Sequence, residues 1–361
     1  METAEVVNIE NQDINQSRFK RFLNKINTTR EYIASKPFLV IIILSVILLA
    51  VVALFMFVRT GNHVVPMLRS RALTLAAILL ISICVGYSTV IFQTVTGAKI
   101  LTPGVLGLEN IYLFLNAALI LGLPFLSVIL PAPFAGFVAF IVRPHGNFVI
   151  SVIIMVLFSV LIFLPLLTKG SKGVYILLLV GIILSTFFSS LTNYMQFLMD
   201  PIDFMEFQGR LFASFSSPDP LLMIITAGVA VIAIALAPSS RRLDVIGLGR
   251  ENAISLGVNY KAVSMRILII VAVLVSVSTV IVGPVMFLGL IAANLAYQFI
   301  RSHKHVFTIP TAVLICAISL LTAEIFIRHV FTISLNVAVV INFFGGIYFI
   351  FLLLKNRKKE K

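Results

Sequence analysis

Ten runs of roughly 20 apolar residues follow one another along this chain, and they constrain its fold more than any other feature. A helix of about 20 residues rises about 30 Å, the thickness of a bilayer's hydrocarbon core. The runs are Pro37–Val58, Ala72–Gln93, Val105–Leu130, Phe148–Leu167, Gly173–Phe197, Leu221–Ala237, Val263–Val282, Gly283–Ile300, Val306–Phe326 and Leu335–Leu354. The eighth is short and opens on Gly283-Pro284, so it reads as a broken span; the third contains Pro124. Pro131–Val142 is apolar but too short to cross, and reads as a re-entrant or interfacial piece. The expectation is an all-α polytopic membrane protein with about ten transmembrane helices.

Charge supports this. Only 11% of the residues are charged, against about 25% in soluble domains. A net charge of +13 raises nucleic acid as a partner, but the basic residues form no single face. They lie in the tails and between the apolar runs, as topology signals do. With ten spans both termini share one side. The tails hold 6 and 5 Lys/Arg, the loops and span edges on their side 10, and the opposite side 6. Both termini are therefore expected in the cytoplasm. Residues 1–36 form a polar, basic tail; 17–30 read equally as a surface-lying amphipathic helix or a solvated segment. No small-residue cleavage site closely follows the first run, so a cleaved signal is not expected. The membrane-spanning body covers 37–354, and 355–361 is a second basic tail.

One stretch interrupts the apolar pattern: residues 238–262, a cytoplasmic loop on this topology. Gly247, Gly249 and Gly257 punctuate it, and Arg250–Leu256 reads as a short helix with Ala253 and Leu256 on one face. Such a helix, held outside the membrane, can dock into a partner. Ionisable groups within spans are expensive and are functional candidates. Glu324 is the one acid that approaches such a position, and Arg328 lies four residues on, where the two can pair across a helix turn. Arg69 and Arg71 lie on the outer side against the charge trend, as headgroup anchors or as contacts to an acidic partner. Gln93 ends the second span and Thr102-Pro103-Gly104 precedes the third; Thr102 reads as a helix cap. Cys84 and Cys316 fall inside apolar runs as small packing residues, and the methionines form no ladder. No phosphate-binding glycine loop, metal-ligand set or nucleophile–base pair is present, so no catalytic residue, metal or cofactor is expected on this chain.

Four segments together resemble the bacterial permeases that import iron–siderophore complexes and cobalamin. Leu248-Gly249-Arg250-Glu251-Asn252-Ala253-Ile254-Ser255-Leu256-Gly257-Val258 is similar to the family's Leu-Gly-x-x-x-Ala-x-x-Leu-Gly-Val loop. Gly283-Pro284-Val285-Met286-Phe287-Leu288-Gly289-Leu290 is similar to its Gly-Pro-Ile-x-Phe-x-Gly-Leu. Gln93 is followed at family spacing by Pro103-Gly104-Val105-Leu106-Gly107, and Ala323-Glu324-Ile325-Phe326-Ile327-Arg328 resembles Ala-Asp-x-x-x-Arg. The likeness runs from about 67 to 354. It implies a type II ABC importer permease with short cytoplasmic coupling helices, paired with a second permease chain, identical or related. ATPase subunits carrying the ATP would dock on Gly247, Leu248, Gly249, Ala253, Leu256 and Gly257. An extracytoplasmic binding protein would meet Arg69, Arg71 and Arg328. Gln93, Pro103, Gly104, Gly283, Pro284 and Gly289 would line or gate the path. The implied location is the bacterial cytoplasmic membrane, and the implied cargo a ferric siderophore.

The sequence also departs from that family. Gly-Leu-Ile-x-Pro-His becomes Gly289-Leu290-Ile291-Ala292-Ala293-Asn294. Leu-Pro-x-Gly becomes Leu335-Asn336-Val337-Ala338, and Leu68 and Ser70 replace residues of an Arg-x-Pro-Arg docking motif. Cobalamin or haem remains an alternative cargo. An ion-coupled secondary transporter is the rival class, but such proteins carry buried acids for coupling, and a membrane enzyme lacks a catalytic constellation.

Overall fold

The computed structural model describes residues 36–57, 64–99, 101–129, 136, 140, 143–167, 173–211, 215, 219–300, 302–330 and 337–357. The tail at 1–35, nearly all of the Pro131–Val142 piece, residues 335–336 and the last four residues lie outside the described residues. Among the described residues the fold is all helical. In chain order come α1 (Pro37–Phe57), α2 (Val64–Thr96), a 3-10 turn η1 (Pro103–Leu106), α3 (Leu108–Ile129), α4 (Pro144–Leu167) and α5 (Gly173–Leu198). Then follow α6 (Pro201–Leu211), α7 (Pro220–Ala235), α8 (Ser240–Ile246), α9 (Arg250–Ser255) and α10 (Tyr260–Val282). The last three are α11 (Leu288–Phe299), α12 (His305–Val330) and α13 (Val337–Arg357).

Every apolar run folds as a helix, but the count of ten spans is not confirmed. Five described helices are long and apolar enough to cross a membrane, and a sixth arises if α7 and α8, bent by 65° at their junction, form one span. For two of the runs the cause is geometric. α11 has 12 residues, which rise about 18 Å, and α7 has 16, about 24 Å. Each falls short of a bilayer core by itself.

Two apolar cores hold the helices together. One gathers Phe92 of α2, Leu108 of α3, Met155 of α4 and Leu274 of α10; the other gathers Phe55 of α1, Ile78 of α2, Leu288 of α11 and Leu320 of α12. α10 is the central post, packed on α2, α4 and α7, while α12 packs on α1, α2 and α11. Gly86 permits the α2–α12 approach, since a Cβ there would lie 3.0 Å from the Val313 backbone. α1 is peripheral. It buries Val40 and Phe55 and turns Phe38, Leu49 and Phe57 outward, a pattern suited to lipid rather than water. Cys84 and Cys316 are buried and free, in keeping with packing roles.

Candidate functional site

The loop between α7 and α10 folds into a compact two-helix handle. α8 inserts Leu243 and Ile246 into the body, and α9 inserts Ala253. Glycine is required at two of its turns: Gly249 has φ 96° and Gly257 φ 80°, a region that side chains with a Cβ enter at a cost. Gly257 closes α9 as a Schellman turn, in which Val258 N–H donates to Ala253 O (3.0 Å) and Gly257 N–H to Ile254 O (2.9 Å). Gly247 differs, with an ordinary φ of −59°. A Cβ there would make ordinary contacts, 3.4 Å from Asp244 O and 3.8 Å from His305 Cε1, so neither conformation nor space demands glycine at this position. Ala253 and Leu256 do not share a face as the spacing suggests. Ala253 is buried, whereas Leu256, the C-cap whose N–H still donates to Asn252 O (3.0 Å), faces out. Leu248 (58% exposed), Ile254 (54%) and Leu256 (61%) thereby form an apolar tip on a small, polar-flanked projection.

Two ties attach this handle to the end of α2, and sequence reasoning missed both. Asp244 Oδ1 accepts from His305 N–H (2.8 Å) and lies 2.6 Å from His305 Nδ1, while His305 Nε2 lies 2.7 Å from Thr94 Oγ1. Tyr260 O–H donates to Val95 O at 3.1 Å. Asp244 stands inside the glycine-punctuated stretch, but nothing in local spacing pairs it with residues of distant runs.

The predicted path residues converge next to these ties. Gln93 Nε2 donates to Lys99 O (2.9 Å) and Leu101 O (3.1 Å), which fixes the irregular backbone after α2. Asn294 Nδ2, on α11, donates to the same Lys99 O at 3.0 Å. The loss of the family's Pro-His thus leaves a side chain that pins the 99–101 loop from the other side. Thr102 precedes η1 without capping it, correcting its assignment as a cap; it faces a small cavity instead. Ser88, Thr89, Gly104, Ser278, Thr279, Gly283 and Gly289 line this cavity, whose volume is about 30 Å³. That is about twice the smallest space that holds one ordered water, so the cavity admits water. Gly283 has φ 96°, which allows the turn from α10 into the Pro284 break. Gly289 lies against Thr89, whose side chain a Cβ would overlap.

Glu109 also lines the cavity, and it corrects the reading of Glu324 as the one acid near a span interior. It is 6% exposed, in the first turn of α3, and its carboxyl faces the Val285 backbone N–H that the Gly283-Pro284 break leaves without a helical partner. Its position within the third apolar run was the available signal. Glu324 is buried as well.

At the far end of α2, 23 residues or about 35 Å from Thr94, lie the predicted docking arginines. Arg69 is exposed. Arg71 is turned inward, 4% exposed, and its guanidinium donates to Phe55 O (2.9 Å) and Met56 O (2.8 Å) at the end of α1. Its place on a single exposed patch with Arg69 is therefore not realised: the carbonyls that close α1 have no helical donors, and Arg71 supplies them. Arg328 lies near the end of α12, opposite His305; its side chain is outside the described residues.

The handle, the pinned break and the central cavity are the features against which known proteins can be compared. The model of the FecCD transport family matches residues 37–355. The petrobactin import system permease protein YclO of Bacillus subtilis (strain 168) is 39% identical over 308 residues, covering 85% of this chain and 94% of its own. The petrobactin import system permease protein FatC of Bacillus anthracis is 32% identical over 294 residues, covering 81% and 80%. Among solved structures, an inward-facing metal-chelate type ABC transporter has a TM-score of 0.70 at 18% identity, covering 88% of this chain and 98% of that one. That likeness establishes a shared fold. Since the family match extends from α1 into α13, the chain belongs to the FecCD transport family.

Proposed function

We propose that this chain is the transmembrane permease subunit of an ATP-driven importer that carries a ferric siderophore inward across the bacterial cytoplasmic membrane. The observation that carries the reading is the handle. Its apolar tip of Leu248, Ile254 and Leu256 is exposed on a short projection that α8 and α9 hold rigidly against the body. This is the form expected of a surface that fills a cleft on a partner. The partner is a pair of cytoplasmic ATPase subunits, and a second permease chain completes the pore. Relatives named as petrobactin permeases support a siderophore as cargo.

On this reading, ATP-driven closure of the ATPases moves the handle, and the spans exchange between outward and inward access, a population shift driven by differential partner binding. Arg69 and Arg328 meet acidic groups on an extracytoplasmic binding protein, with Arg71 holding the rim beneath them. Specificity lies largely in that binding protein, which accords with a path that carries no tight chelate site. The test is capture of ATPase subunits by the membrane-extracted protein, wild type against Gly249→Arg plus Leu256→Asp, followed by uptake of iron-55 ferric petrobactin into proteoliposomes. Capture by wild type and its loss in the variant are expected. Absence of ATPase from well-folded wild-type samples refutes the ATP-driven reading.

A further inference from the structure

Hydrogen bonds tie both flanks of the handle to the end of α2, next to the pinned loop. From the N-terminal side, Asp244 of α8 holds His305 through two contacts, 2.8 Å to its N–H and 2.6 Å to Nδ1. The other ring nitrogen of His305 meets Thr94 at 2.7 Å. From the C-terminal side, Tyr260 bonds the Val95 carbonyl. Both flanks of the handle thus grip consecutive residues, Thr94 and Val95. The residue before them, Gln93, holds the carbonyls of Lys99 and Leu101. His305 is 7% exposed and opens α12, so the same ring also joins the handle to that helix.

Donor and acceptor roles give the contact its character. Thr94 Oγ1 donates to Val90 O at 2.8 Å, so its one proton is committed and it accepts from His305 Nε2. Nδ1 in turn faces the Asp244 carboxylate. Both ring nitrogens are thus engaged, and hydrogen bonds, unlike apolar contacts, are directional.

We infer that Asp244, His305 and Thr94 form a mechanical relay, in which movement of the handle is delivered to the end of α2 and thence, through Gln93, to the 99–101 loop beside the cavity. These are positioning residues, since none needs to touch cargo. The inference rests on the proposed function for the source of the movement. It goes beyond that reading by naming which side chains transmit it. Packing alone would let α8 slide on Leu243 and Ile246, because apolar contact is non-directional. The bridge resists that sliding and fixes direction.

The experiment uses the assembled importer in proteoliposomes, with Lys99→Cys as reporter on the loop and a membrane-impermeant maleimide as probe. Labelling rates are compared before and after trapping with ATP and vanadate, alongside ATP hydrolysis and ATPase capture. The reporter background is expected to change its labelling rate severalfold on trapping. Asp244→Ala and His305→Ala are each expected to bring that change close to onefold, with hydrolysis and capture retained. The double variant should be no worse than either single, as for members of one pathway. His305→Gln, which keeps amide donors in place of the ring, should restore part of the change. A full trapping response in both alanine variants overturns the relay, as does a double variant showing independent, multiplied effects. Loss of ATPase capture together with the response overturns it too, by reducing the bridge to support of the handle's fold. If the reporter background itself captures no ATPase, the proposed function falls, a result separate from all of these.

Discussion

The pinned carbonyl of Lys99 yields a prediction whose size follows from counting donors. Lys99 O receives two side-chain donors, Gln93 Nε2 at 2.9 Å and Asn294 Nδ2 at 3.0 Å, whereas Leu101 O receives Gln93 at 3.1 Å. Gln93→Leu removes the side-chain donor from Leu101 O, a buried acceptor, at about 1–3 kcal/mol, and weakens Lys99 O by about 0.5–1.5 kcal/mol more. Asn294→Ala leaves Lys99 O with Gln93 and should cost only about 0.5–1.5 kcal/mol at that acceptor. Together the two substitutions leave Lys99 O without either amide. The double variant should therefore exceed the sum of the singles by about 1–2 kcal/mol, the signature of a shared partner. Reversible unfolding in mixed micelles, followed by loss of helical circular dichroism, measures all four corners of the cycle. Additivity within about 0.5 kcal/mol, or an Asn294 variant costlier than Gln93→Leu, refutes the argument.

Two further outcomes follow from other contacts. Gly289→Ala should destabilise by about 1–3 kcal/mol, because the new methyl overlaps the Thr89 side chain, and Thr89→Ala in the same chain should recover much of the loss in the same unfolding assay. Arg71→Met should lower stability by about 2–4 kcal/mol through two lost charge-assisted bonds while leaving binding-protein affinity near wild type, and Arg69→Met should do the reverse, lowering the association rate and its salt dependence in surface plasmon resonance.

These contacts mark where sequence reasoning stops. The helices were legible because apolar periodicity and length are local properties, and so were the turns at Gly249, Gly257 and Gly283, which all adopt positive φ. Span number was less legible, since an apolar run of 18 residues such as Gly283–Ile300 spends its first turn on a break and leaves a helix of 12. The inward turn of Arg71 was hidden because its partners are backbone carbonyls 15 and 16 residues away. The bridge from Asp244 to Thr94 joins residues 61 and then 211 positions apart, and only tertiary packing reveals such pairs. Glu109 was visible in the third run yet was overshadowed by Glu324, because its partner is a single amide freed by a distant helix break.

Several buried polar side chains in this chain hold broken backbone. Inside lipid, an unpartnered N–H or C=O costs several kcal/mol, and irregular backbone persists only where protein satisfies it. Glu109 faces the freed N–H of Val285, while Gln93 and Asn294 serve the carbonyls of residues 99 and 101 and Arg71 serves the end of α1. A permease that must open without binding its cargo tightly needs breaks along its path and polar side chains to make those breaks tolerable. It has little need of polar groups on the path wall. That division accounts for a chain that is 60% hydrophobic and yet places its amides and carboxyls beside glycines and prolines. On the proposed relay, a small rotation at Thr94 reaches Gln93 first, and through it the loop whose carbonyls Gln93 and Asn294 hold.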